Sequence, residues 1–183
     1  VNTPSIPINL ISSSAIEIDF PSNGEIDLVN AIKSDDHYFL ITRILYENSN
    51  ETTHEIVKTD LNGNKVWQFS VNESPNADEV LPFIYKLSDG NFMIIGGGFI
   101  PPNMERKSYV IKFSANGNVI WKKYYPVYDF GVFLGSVFNG KNVKFSFIKD
   151  EYTIDINGEV IEHKQLELPT NTLYKIHYNT SED

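Results

Sequence analysis

The chain has 183 residues, enough to bury a core without covalent staples, and no Cys, which excludes catalytic thiols, thiolate zinc sites and disulfide frameworks. Asp and Glu outnumber Lys and Arg by 24 to 15, for a formal net charge of −9. Such a surface lacks the cation density that nucleic acid or an anionic membrane requires, so no nucleic-acid partner is expected.

No apolar run is long enough to cross a bilayer as a helix, and the one membrane contact expected is through a lipid anchor outside this chain, should it carry one. Residues 1–14, opening Val1-Asn-Thr-Pro-Ser-Ile-Pro7, are polar and Pro-containing, and the chain starts without Met. They are read as a flexible tether following a removed export or lipoprotein signal. Residues 15–183 are read as a single domain. Ile16-Glu-Ile-Asp-Phe-Pro21 alternates like a strand and matches Trp121-Lys-Lys-Tyr-Tyr-Pro126 further on.

A repeat dominates the rest. Ser34-Asp-Asp-His-Tyr-Phe-Leu-Ile41 lies over Ser88-Asp-Gly-Asn-Phe-Met-Ile-Ile95, and Ile56-Val-Lys-Thr-Asp-Leu-Asn-Gly-Asn-Lys-Val-Trp67 over Val110-Ile-Lys-Phe-Ser-Ala-Asn-Gly-Asn-Val-Ile-Trp121, at one gapless offset of 54 (Trp67 to Trp121). A third copy, Tyr152-Thr-Ile-Asp-Ile-Asn-Gly-Glu-Val-Ile161, follows at an offset of 41 (Gly117 to Gly158). The copies span about residues 25–71, 79–126 and 131–168. Runs such as Phe39-Leu-Ile-Thr42 have strand length and composition, Tyr109 to Phe113 alternates with period two, and Asn62-Gly63, Asn116-Gly117 and Asn157-Gly158 are hairpin turns. Each copy then holds four antiparallel strands. The expected fold is all-β and propeller-like: three four-stranded blades, with Ile16–Pro21 and Leu173-Tyr-Lys-Ile-His-Tyr178 of the two termini making a partial fourth.

On these residues the chain resembles a group of bacterial envelope propeller proteins, whose blades carry an Asp-Gly-Gly-Tyr-like turn, an Ala-Gly strand end and Lys-x-Asp-x-x-Gly-Asn-x-x-Trp. The second copy matches best, through Asp89-Gly90-Asn91-Phe92, Gly96-Gly97 and Lys112 to Trp121. Asp60-Leu-Asn-Gly-Asn-Lys-Val-Trp67 is also similar to the tryptophan-docking motif of quinoprotein-like propellers, one residue shorter. The resemblance implies a propeller in the bacterial cell envelope, periplasmic or on the outer surface. It carries no catalytic residue to transfer. The third copy departs, with Glu162 where Trp67 and Trp121 stand.

Most chemistry-bearing residues have structural roles on this pattern. Trp67 and Trp121, fixed in the repeat, are expected between blades rather than as sugar platforms. Asp60 and Asp155 cap their own turns, since neither has the six to eight oxygens calcium takes. Gly96-Gly97-Gly98 lacks the Lys-Ser/Thr of a phosphate loop and marks close backbone approach. His37, His54, His163 and His177 have no metal spacing, and His54 is placed in a loop over Glu47–Glu55. No metal or cofactor is expected.

The candidate ligand contacts are apolar residues beside loops: Phe99 and Met104 around the Pro-stiffened Ile100–Lys107 loop, and Tyr124, Tyr125 and Tyr128 in the stretch that follows Trp121. The function expected is a non-enzymatic exported module binding a protein or a glycan. Two other classes stay open: a polysaccharide-acting enzyme with a carboxylate pair, and a structural module that completes a propeller by homodimerisation.

Overall fold

The computed structural model describes residues 24–46, 52–71, 80–100, 105–127 and 133–167. These form three four-stranded antiparallel sheets and, among the described residues, no helix. Sheet A takes β1 (Gly24–Lys33), β2 (His37–Tyr46), β3 (Thr52–Asp60) and β4 (Lys65–Ser70), in chain order across the sheet. Sheet B repeats this with β5 (Val80–Lys86), β6 (Phe92–Ile100), β7 (Glu105–Phe113) and β8 (Val119–Pro126). Sheet C does so with β9 (Phe133–Phe138), β10 (Asn142–Phe147), β11 (Asp150–Asp155) and β12 (Val160–Gln165). The termini expected to make a partial fourth blade, the 1–14 tether and His177 lie outside the described residues.

Local chemistry explains the hairpins. Gly63, Gly117 and Gly158 hold φ of 91°, 83° and 76°, a left-handed backbone that costs Gly little. Asp60 Oδ1 accepts hydrogen bonds from the Asn62 and Asn64 amides at 2.9 Å each, and Asp155 Oδ1 from those of Asn157 and Glu159 at 2.8 and 2.9 Å. Both carboxylates are turn caps, as expected. The Asn64 side chain, then the turn amides, hold Asp60 below its ordinary pKa.

The sheets stack face to face in chain order. Phe39, Ile41 and Ile56 of sheet A meet Phe92, Ile94, Ile111 and Phe113 of sheet B in one buried cluster. Met93, Ile95 and Val110, from the other face of sheet B, meet Val143, Phe145, Phe147, Tyr152 and Ile154 of sheet C in a second. The alternation of β6 supplies both clusters, so both faces of sheet B are consumed. Each fully buried aromatic or branched side chain contributes about 1.5–3 kcal/mol.

Two loops are shorter than the sequence suggests. β3 starts at Thr52, so His54 is a strand residue, opposite Arg43, and is buried. Likewise Ile100 ends β6 and Glu105–Lys107 begin β7, leaving only 101–104 between them. Polar runs such as Asn48-Ser-Asn-Glu51 mask a strand that starts just beyond them.

Candidate functional site

Each inter-sheet junction is closed by the same device. Lys58 Nζ donates to the Ala115 carbonyl at 3.0 Å, and Trp67 Nε1 donates to the same oxygen at 3.2 Å. The Trp67 ring lies over the following turn, where a Cβ on Gly117 would sit 3.0 Å from it. One repeat later, Lys112 Nζ donates to the Ile156 carbonyl at 3.0 Å, and a Cβ on Gly158 would fall 2.8 Å from the Trp121 ring. Trp67 and Trp121 are therefore docking groups for the next sheet, as their place in the repeat implies.

A bulge aims them. The register slips between Lys58 and Thr59 opposite Val66, between Lys112 and Phe113 opposite Ile120, and between Thr153 and Ile154 opposite Ile161. The extra residue precedes the Trp position and turns its side chain onto the same face as the Lys across from it. Sequence alternation alone misses these bulges. Their signal is that the slips keep the repeat offsets of 54 and 41.

Of the candidate contact residues, Tyr124 reaches solvent, 39% exposed. It stands on β8 opposite Tyr109, which in turn stands opposite Gly96 on β6. A Cβ at Gly96 would lie 2.5 Å from the Tyr109 hydroxyl, so only Gly lets that buried ring lie across the sheet. The Lys122 ammonium sits 5.6 Å from the Tyr124 ring centroid and 5.8 Å from that of Tyr109. Partial burial pushes the Lys122 pKa down. The result is an aromatic face with a hydroxyl tip and a cation held beside it, all on a rigid strand.

Tyr125, the neighbouring residue, points the other way into the B–C cluster. It is buried and its hydroxyl donates to the Gly158 carbonyl at 2.8 Å. Burial, with Glu159 and Asp155 nearby, raises its pKa far above the ordinary phenol value. Tyr125 is thus placed as a junction residue rather than on an open face. Phe99 lies on β6 opposite Arg106, and its side chain is outside the described set, as are Met104 and Tyr128.

Other polar groups resolve into pairs. Asp89 Oδ2 accepts from Lys112 Nζ at 2.6 Å. Burial raises the Asp89 pKa, but Lys112 and the Asn91 amide outweigh it and the net shift is downward. His37 pairs with Asp36 at 2.7 Å, and His163 Nε2 lies 2.9 Å from Asp150 Oδ1 with its ring stacked on Tyr152 at 4.1 Å. Among the described residues Asp150 is the one buried carboxylate, so its neighbour is a histidine rather than a second acid. No group of three or more His, Asp and Glu among them is placed to hold a metal ion.

No family model matches this chain. No curated protein matches it either. Among solved structures, a protein of unknown function from Bacteroides caccae aligns over 80% of this chain and 59% of its own length, with 13% sequence identity and a TM-score of 0.42. The chain thus spans about three fifths of that protein, and a likeness of this degree carries no inference about either.

Proposed function

We propose that this chain is a non-enzymatic interaction module of propeller type, exported to a bacterial cell envelope, that binds a glycan or a protein through the face around Tyr124. The observation that carries this is the Tyr124–Lys122 pair. An aromatic ring stays exposed beside a cation on β8, while Phe39, Phe92, Tyr109, Phe113 and Tyr125 lie buried in the junction clusters. A flat face with a hydroxyl at its tip suits the apolar side of a sugar ring or an exposed side chain, and the ammonium supplies a directional donor. The propeller element rests on the meander order of three like sheets whose first strands, β1, β5 and β9, adjoin in succession.

The test is binding of the purified chain to a panel of bacterial, plant and host polysaccharides, with Tyr124→Ala and Lys122→Met in parallel. Saturable binding that Tyr124→Ala weakens about tenfold or more, at unchanged thermal stability, is expected for a glycan ligand. Binding indifferent to Tyr124 would move the site elsewhere. Silence across the panel would remove the glycan and leave a protein partner.

A further inference from the structure

Asn-Gly is the dipeptide in which a backbone amide most readily attacks the preceding side chain, because Gly puts no Cβ in the way. Five such pairs occur in the sequence. Asn23 lies outside the described residues, and the other four begin at Asn62, Asn116, Asn139 and Asn157. Three of these are the turns between third and fourth strands, and there the fold ties down the attacking nitrogen. The Gly63, Gly117 and Gly158 amides donate to the Asp60, Ser114 and Asp155 carbonyls at 3.2, 2.9 and 3.0 Å. Gly117 and Gly158 are further held against the Trp67 and Trp121 rings, and Gly63 is buried. Among the described residues no backbone amide donates to the carboxamide oxygens of Asn62, Asn116 and Asn157.

Asn139-Gly140, between β9 and β10, has the opposite arrangement. Both residues are exposed, and a Cβ on Gly140 would meet open space. The Gly140 amide donates to no acceptor among the described residues. The Asn139 carboxamide oxygen accepts from the Lys141 amide at 3.0 Å and from the Asn142 amide at 2.7 Å. Two backbone amides on one carbonyl oxygen make an oxyanion hole, which draws electrons from Cγ and stabilises the charge that develops when Cγ is attacked.

We infer that Asn139 is a self-modification site, which loses its side-chain amide to the Gly140 nitrogen ahead of the other described Asn-Gly pairs. Solvent hydroxide takes the Gly140 amide proton, and the nitrogen forms a bond to Asn139 Cγ. The tetrahedral intermediate breaks its Cγ–Nδ2 bond, and Nδ2 leaves as ammonia with a proton from water. Water then opens the cyclic imide at either carbonyl, leaving aspartate or isoaspartate. The sum is amide plus water giving carboxylate plus ammonium, with no change of oxidation state. Aspartate keeps the turn, since Asp60 and Asp155 accept a similar pair of amides in theirs. Isoaspartate adds a methylene to the main chain beside the Phe138–Val143 pair and disturbs that hairpin. Sheet C already carries exposed charge, in a row where Lys144 reaches Glu151 at 2.7 Å and Lys164 reaches Glu162 at 2.9 Å. The site is independent of whether the Tyr124 face binds a ligand.

Peptide mapping by mass spectrometry on the full-length chain, incubated at mildly alkaline pH, tests this. Conversion at Asn139 is expected about tenfold or more ahead of Asn62, Asn116 and Asn157, and faster as pH rises, because the Gly140 amide must lose its proton. In denaturant the four rates should converge, since the hydrogen bonds that separate them are gone. Equal conversion at the four sites of the folded chain, or a lead by any of the other three, would overturn the inference. So would the same ranking in denaturant, which would trace the order to flanking sequence instead.

Discussion

The two junctions use one device in two chemical settings. Between sheets A and B the docking Trp67 is wrapped in rings: Phe39 at 5.8 Å, Phe69 at 5.7 Å and Phe113 at 6.1 Å. Lys58 lies 5.5 Å from the Phe39 ring before it reaches the Ala115 carbonyl. Between B and C the same positions carry polar reinforcement. Lys112 has Asp89, Lys123 donates to the Asn157 carbonyl at 2.9 Å, Tyr125 to that of Gly158, and the Tyr152 hydroxyl to that of Pro126 at 2.7 Å. What the repeat conserves is a shape, a ring over a glycine turn and an ammonium on a carbonyl. The surroundings that stabilise it are free to be aromatic or ionic.

Breaking the rings should have the largest effect. Trp67→Ala is expected to cost about 3 kcal/mol and Trp121→Ala less, since fewer rings close on Trp121. Chemical denaturation with an m-value check would read this, and equal losses would show that the turn contact, not the aromatic setting, sets the strength.

Next comes the ion pair. Asp89→Ala leaves the buried Lys112 ammonium with its carbonyl partner alone and should cost about 2 kcal/mol. Because folding lowers the Asp89 pKa, its contribution is fully present above the unfolded value near 3.9 and is lost as pH falls through the folded value. Acid should therefore loosen the B–C junction, and Asp89→Asn should flatten that part of the stability profile. A profile unchanged by Asp89→Asn would assign the acid sensitivity to other carboxylates.

The smallest effect sharpens the comparison. Tyr125→Phe removes one buried hydrogen bond, worth about 1 kcal/mol, at the position that Val71 fills without one in the first junction. A loss well above that would mean the Gly158 carbonyl finds no replacement partner.

Much of this was legible in the sequence for a simple reason. Asn-Gly turns dictate hairpins wherever they stand, so the strand pairs around Gly63, Gly117 and Gly158 follow from local chemistry. The bulges at Val66, Ile120 and Ile161 were not legible, because one extra residue interrupts the alternation that identifies a strand. His54 was misplaced because strand β3 begins in a polar run. At the candidate site the Tyr-rich stretch looked uniform, but adjacent strand residues face opposite ways, so Tyr124 and Tyr125 had to divide between surface and junction. The repeat itself held the answer, since Tyr125 aligns with the buried Val71.

Glu162 and Thr153 stand where the first two copies have Trp and Lys. In the first two sheets the third strand carries the ammonium and the fourth strand the ring that together hold the next Asn-Gly turn, and β11 and β12 carry neither at those positions. Substituting a carboxylate and a hydroxyl at the last repeat removes the grip, and the charged row around Lys144 and Lys164 makes the surface costly to dehydrate. Sheet C thus ends the described array with a surface that lacks the docking groups of the first two copies.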